Sequence, residues 1–350
     1  MTRHMFAGVS SPMGFIDYFD HIMPLGKARK RYYLKGSSGS GKSTFIKRAA
    51  AALESAGFDT ERFHCSNDAE SLDAAAAAGR GLCILDATAP HSRDPQVPAA
   101  IDKIIDFAEF LDEHRLVKHT SQIQDLVRLK KILNDKAAGY FFALGKVFAA
   151  DNTAYESALC RKSLDKLAEK WIKLLDLQEA PGRTGIDRKL FLNALTPDGP
   201  VSFAGDFFDG LTIYGLVAEC GAGTNEFLST LRNEANSLGL ESESFYNPLA
   251  PDRIEYLILP GKAFVTVDGK FEYKGRTDEL IDLKDCVDRK TLSRVKSENT
   301  ESFENLLDKT VDLMRESKTV HSEIEEIYAH AMNFDKANNM TEILIKEILA

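Results

Sequence analysis

Strand-like and helix-like patterns alternate along the chain. Arg31-Tyr32-Tyr33-Leu34-Lys35 has the aromatic content of a strand, and residues 44–56 read as an alanine-rich helix stopped by Gly57. A second strand is predicted over residues 60–65, running into a polar stretch, residues 66–73, that reads as a loop and then a short helix. Residues 81–86 form a short apolar strand ending in Asp86. Residues 99–177 and 278–350 place apolar side chains at helical spacing amid dense charge, for example Leu126, Leu129, Ile132 and Leu133. Such faces more often pack than bind ligands. Residues 178–185, with Pro181 and Gly182, break any helix, so the boundary is expected between a unit at 1–180 and another at 185–350.

The segment between the first strand and its helix carries the chemistry. Gly36-Ser37-Ser38-Gly39-Ser40-Gly41-Lys42-Ser43 fits G-x-x-x-x-G-K-[ST], the P-loop pattern, in the required order of strand, loop and helix. Backbone N–H groups that converge on phosphate oxygens need conformations that glycine adopts cheaply, and the helix N-terminus adds positive potential. Lys42 is expected to bridge the β- and γ-phosphates and Ser43 to ligate Mg²⁺, while Thr44 starts the helix. Asp86, ending its apolar strand, is the candidate second holder of the Mg²⁺ shell.

No glutamate follows Asp86, so the group that positions an attacking water must come from another loop. In a parallel sheet the strands' C-terminal ends share one edge, which brings Asp68, Asp73, His64 and His91 toward the terminal phosphate, with Asp68 the first choice. Each reads equally as an ordinary loop residue.

The chain also repeats itself. Lys42 superposed on Thr224, an offset of 182 (224 − 42), aligns Gly39 with Gly221, Gly41 with Gly223, Phe45 with Phe227 and Asp86 with Asp268. An offset of 185 pairs Arg3, Phe6, Pro12 and Gly14 with Arg188, Phe191, Pro197 and Gly199. An offset of 176 pairs Ile105-Asp106 and Asp112 with Ile281-Asp282 and Asp288, which extends the repeat into the helical arms. The second copy has Thr224 and Asn225 where the first has Lys42 and Ser43, and Glu219 adds a negative charge, so one competent site is expected. Asp268 reads as part of a hairpin turn.

Composition narrows the classes of function. The chain is 44% apolar and 28% charged, without an apolar run near the roughly 20 residues of a membrane helix. Residues 1–14 lack the apolar block of a secretory signal, so the expectation is a cytoplasmic protein without a membrane partner. Cys65, Cys83, Cys160, Cys220 and Cys286 are scattered, with no CxxC pair, and read as reduced thiols. A net charge of −9 gives no general attraction to nucleic acid, and the basic run at residues 27–31 reads as a solvated segment.

These residues together resemble an uncharacterised bacterial family of tandem P-loop ATPases. The likeness lies in Ser11-Pro12-Met13-Gly14 and Thr196-Pro197-Asp198-Gly199, in Phe63-His64-Cys65-Ser66-Asn67-Asp68 with Leu72-Asp73, in the segment Leu85 to His91, and in Asp94-Pro95. The resemblance implies an ATPase-like activity and marks His64, Cys65, Asp68, Asp73 and His91 as site residues. Family members commonly keep a P-loop in both halves, so Thr224 and Asn225 are departures. The expected fold is two tandem P-loop NTPase-like three-layer α/β/α domains with mainly parallel sheets, each followed by a helical arm (about 99–177 and 278–350), the second copy degenerate. The expected function is binding and hydrolysis of MgATP, ATP being chosen because no guanine-reading motif stands out. Alternatives are a kinase acting on a small acceptor and a nucleotide sensor whose arms recruit a partner protein. Arg188, Arg253 and Arg276 are available as an arginine finger.

Overall fold

The computed structural model describes residues 1–350 except 268–270, 272 and 296–298. The first half runs β1 (Thr2–Met5), β2 (Gly8–Ser11), β3 (Gly14–Asp17), β4 (Lys30–Lys35), α1 (Lys42–Ser55), β5 (Thr60–Cys65), β6 (Asp68–Ala77), β7 (Leu82–Asp86) and β8 (Asp102–Asp106). Its helical arm follows as α2 (Glu113–Val117), α3 (Thr120–Ser157) and α4 (Arg161–Leu175). The second half repeats this order with β9 (Asp187–Leu190), β10 (Asn193–Thr196), β11 (Gly199–Ser202), β12 (Thr212–Val217), α5 (Thr224–Ser237), β13 (Ser242–Asn247), β14 (Ala250–Leu259), β15 (Lys262–Thr266) and β16 (Glu279–Asp282). Its arm is α6 (Arg289–Val295), α7 (Thr300–His330) and α8 (Phe334–Leu349).

The two six-stranded sheets have the same order, β1-β5-β6-β7-β4-β8 and β9-β13-β14-β15-β12-β16. Only β6 and β14 run antiparallel to their neighbours. The ladders break at the same place, between Phe63 and Cys65 and between Phe245 and Asn247.

Four expectations change. The stretch read as a loop and short helix is the long strand β6, whose buried Ala74, Ala75, Ala76 and Ala77 fit between β5 and β7. Pairing on both sides overrides the helix propensity of alanine, and the small side chains let α1 lie close to the sheet. The arms begin later than expected, because Ile105-Asp106 and Ile281-Asp282 lie on the edge strands β8 and β16. The three-layer arrangement is also replaced, since the inner faces of the two sheets share one core, including Met5, Phe63, Leu85, Leu190, Phe245 and Val265, with no α-helical residue in it among the described residues. Helices therefore cover only one face of each sheet.

The fourth change concerns which helix covers which sheet. Leu164, Ala168, Trp171 and Leu175 of α4 pack with Phe227, Leu228 and Leu231 of α5 in the second half. In return, Leu344 and Ile348 of α8 pack with Phe45, Ile46 and Ala49 of α1 in the first. The halves thus exchange their last helices, while α3 and α7 run along each other between them. The segment expected as the boundary, residues 178–185, contains neither helix nor strand.

A pseudo-twofold axis relates the halves. Phe6 and Phe191, equivalent at the offset of 185 (191 − 6), exchange two backbone hydrogen bonds of 2.9 and 3.0 Å. Beside them Arg3 binds Glu243 at 2.5 Å, and its counterpart Arg188 binds Glu61 at 2.6 Å and Glu243 at 2.8 Å.

Candidate functional site

Strands β4, β5 and β7 are parallel, so their C-terminal ends and the start of β6 share one edge. The glycine-rich loop leaves β4 there, with Gly36, Gly39 and Gly41 at φ of +141°, +72° and +92°. Gly41 caps α1, which begins at Lys42, and Thr44 is exposed on its first turn. Lys42 is buried and folded back over the loop, its Nζ donating to the carbonyls of Gly36 (2.9 Å) and Ser37 (2.8 Å) and standing 3.6 Å from Asp86 Oδ2. Ser40 Oγ donates to Ser37 O at 2.7 Å. Ser43 Oγ accepts from the amide of Leu72 at 3.0 Å, and Asp86 Oδ1 accepts from the amide of Thr88 at 2.9 Å. Ser37 Oγ is buried with no hydrogen-bond partner.

The candidates on the neighbouring loops divide into two groups. His91 lies close to acids on β6 and β7, with Nε2 3.7 Å from Asp73 and its ring stacked on Phe19 at 4.6 Å. Burial pushes its pKa down, but Asp73 and Asp86 outweigh that and raise it. Burial, followed by the charge of Asp73, pushes the Cys65 thiol well up, so this cysteine is not a ready nucleophile. Asp68 and His64 have other partners. Asp68 accepts from Ser71 at 2.6 Å and pairs with Lys318 of α7 at 3.0 Å, while His64 contacts His4 Nδ1 at 2.8 Å and Ala69 O at 2.6 Å.

The finger candidates lie elsewhere. Arg188 is the interface arginine described above, Arg253 pairs with Glu156 and reaches Gly221 O beside the second-half loop, and Arg276 is exposed next to Asp278. Arg31 of the basic run is buried in a bidentate pair with Asp102, at 2.7 and 3.0 Å, so the run is not a free cationic patch.

The second copy keeps the backbone of the loop and loses its charge. Gly221 and Gly223 have φ of +71° and +78°, and Asn225 Oδ1 accepts from Ile254 N at 2.9 Å as Ser43 does from Leu72. At the lysine position Thr224 satisfies itself by donating to Gly221 O at 2.8 Å. The partner of Asp86 is also not the residue expected. Asp86 pairs with Leu34 and Thr266 with Leu216, while Leu34 and Leu216 are themselves equivalent, so the offset at this point is 180 (266 − 86). The β14–β15 turn is two residues shorter than the β6–β7 turn, so a threonine replaces the acid. Asp268 lies outside the described residues.

Four polar residues of the arms, none singled out from sequence, gather beside the first-half loop. A Cβ on Gly39 would stand 2.4 Å from the carbonyl oxygen of Glu325, so the loop lies directly against the backbone of α7. The Glu325 carboxylate faces the Gly39 amide. His321 Nε2 is 3.3 Å from Ser38 Oγ, and Lys130 Nζ of α3 is 2.7 Å from His321 Nδ1. Lys318 completes the group through Asp68.

The residues present suit a phosphate chain with a divalent cation: a glycine-rich turn at a helix N-terminus, a buried ammonium, a hydroxyl and a carboxylate at one strand edge, and an orphaned buried hydroxyl on Ser37. Among the described residues no cluster of three or more His, Cys, Asp or Glu would hold a metal alone. Among them, too, no helix is long and apolar enough to cross a membrane. No family model, curated protein or solved structure matches the chain.

Proposed function

We propose that the chain binds a nucleoside triphosphate with Mg²⁺, ATP first, in its first half only, and hydrolyses it. One observation carries the reading: a glycine-rich turn between a parallel strand and a helix holds a buried lysine on its own carbonyls, 3.6 Å from an acid on the adjacent strand. Lys42 is held by two neutral loop carbonyls and by the Asp86 carboxylate 3.6 Å away on β7. A phosphate would give it charge-assisted hydrogen bonds instead. The Ser43 hydroxyl and Asp86 would hold Mg²⁺, which neutralises charge on the transferring phosphoryl group. Asp73 and His91, paired beside Asp86, are the groups to orient the attacking water, since Asp68 is engaged by Lys318 and Ser71.

Calorimetric titration with MgATP, together with phosphate release, tests the reading. Lys42→Ala removes a charge-assisted contact of roughly 1.5–3 kcal/mol and should weaken MgATP by on the order of tenfold or more. Thr224→Ala, in the second loop, should leave affinity unchanged. Absence of heat with every triphosphate, or full affinity in Lys42→Ala, would refute it. Binding without phosphate release would favour the kinase where a metabolite pool accepts the phosphoryl group, and the sensor where none does.

A further inference from the structure

Lys130 is a half-buried ammonium whose neighbour is a neutral acceptor. Its Nζ sits 2.7 Å from His321 Nδ1, and among the described residues no carboxylate lies within ion-pair distance of it. The other side of the same histidine reaches Ser38 on the outer turn of the glycine-rich loop, at 3.3 Å. The nearest opposing charge is that of Glu325, which acts on Lys130 without a direct ion pair, so a half-buried ammonium beside the loop is left able to take an anion.

The pseudo-symmetry supplies a control within the molecule. Where the arms meet the edge strands, the bridges Leu111–Met332 and Leu159–Val287 set an offset of 173 (332 − 159) between α3 and α7. The hydrogen bonds Asp112 N to Ala331 O and Asp288 N to Ala158 O give the same value (331 − 158). At that offset Lys130 corresponds to Phe303, His321 to Phe148 and Glu325 to Asn152. Phe303 and Phe148 belong to an apolar cluster with Phe141 and Leu144. The arms thus carry a charged group at the loop that has Lys42, and apolar side chains at the equivalent positions of the other half.

We infer that Lys130 is a phosphate-contacting residue supplied by the helical arm, reaching the terminal phosphoryl group of the nucleotide at the rim of the loop that holds Lys42. The inference rests on the triphosphate reading above. His321 is its positioning residue, holding the ammonium at the rim of the loop. Burial, with Lys130 and Lys42 next, lowers the His321 pKa to about 4, so the ring is neutral at pH 7 and can accept from Lys130. Burial also lowers the pKa of Lys130, although the Glu325 charge opposes it. Desolvated cations gathered at one rim favour a ligand richest in negative charge there. That points to discrimination of triphosphate from diphosphate.

The test uses the full chain and compares MgATP with MgADP by titration calorimetry. Lys130→Ala should weaken MgATP on the order of tenfold while leaving MgADP within about twofold, and Lys130→Arg should restore most of the loss. Lys131→Ala, an exposed neighbour on the same helix, should change neither. Circular dichroism melts check that each variant folds, and Lys130→Gln replaces the alanine variant if that one does not. Unmodified protein that binds ATP, with an unchanged ATP-to-ADP ratio in Lys130→Ala, would overturn this inference alone. An equal effect from Lys131→Ala would overturn it as well, by showing a diffuse field in place of a contact. No binding by the unmodified chain would overturn both readings.

Discussion

Arg188 offers the most quantitative test of how the halves are held together. Its guanidinium donates to Glu61 at 2.8 and 2.6 Å, to Glu243 at 2.8 Å, and to the carbonyls of His21 at 2.8 Å and Ile22 at 3.2 Å. Arg188→Ala leaves two largely buried carboxylates short of a partner, a defect that costs about 3–5 kcal/mol where no other cation is near. Arg3 remains beside both, at 2.5 Å from Glu243 and 3.5 Å from Glu61, so the lower end, about 3 kcal/mol, is expected. Arg3→Ala should cost less, about 1–2 kcal/mol, because Arg188 still satisfies both acids and Arg3 is the more exposed of the two. At an unfolding entropy of about 2.1 cal/mol/K per residue, a chain of 350 residues shifts by about 1.4 °C per kcal/mol, so Arg188→Ala should lower Tm by about 4 °C in calorimetry at pH 7. The pH dependence adds a second reading. Burial raises the Glu243 pKa, but Arg3 and Arg188 outweigh it and hold the folded value below 4.5. A depressed carboxylate pKa stabilises above the unfolded value and loses that contribution as pH falls through the folded one. The gap between wild type and Arg188→Ala should therefore narrow as pH is taken below about 4.5, where the acids protonate. An Arg3→Ala loss equal to that of Arg188→Ala, or a gap independent of pH, would refute the reasoning.

Two further outcomes concern the loop. Gly39→Ala should disturb the site without touching its chemistry, because φ of +72° costs an L-residue about 1–2 kcal/mol and the new Cβ would overlap the backbone of α7 at 2.4 Å; a lower Tm together with weaker MgATP binding is expected, and unchanged values of both would show that α7 does not rest on the loop. Glu325→Gln removes a negative charge facing the Gly39 amide, so MgATP should bind several-fold more tightly, by about 1 kcal/mol, in calorimetry; weaker binding in this variant would mean that the carboxylate helps hold the ligand.

The elements around the loop were legible because each carries a local signal: β4 its aromatic run, α1 its glycine boundaries, β7 its apolar core and terminal acid. β6 was not, since an alanine run favours a helix until two neighbouring strands pair with it. The exchange of α4 and α8 was hidden for a different reason. The stripe Leu164, Ala168, Trp171 and Leu175 says that α4 packs on something, and an apolar face does not encode which sheet it covers. The match of Asp86 to Asp268 failed because constant spacing hides a shortened turn, which only strand register reveals. Lys130 and His321 looked like ordinary polar residues of a charged helix. Their signal appears only when the two arms are set against each other and both positions become phenylalanine.

The second half matters to the first site even without a lysine of its own. Removing it would take away α8, which covers Phe45 and Ile46 beneath the loop, and α7, which supplies His321, Glu325 and the backbone packed on Gly39. The first half would be left with exposed apolar surface on α1 and an uncovered loop, so it is not expected to stand alone as a binding unit. The exchange works in both directions, since α4 covers α5, yet only one direction delivers charged side chains to a loop that carries Lys42. The loop rests on the backbone of α7, and α7 runs along α3, so the loop is in continuous contact with the arms of both halves. Under the proposed function, nucleotide taken at Lys42 is therefore expected to act on the relation between the halves.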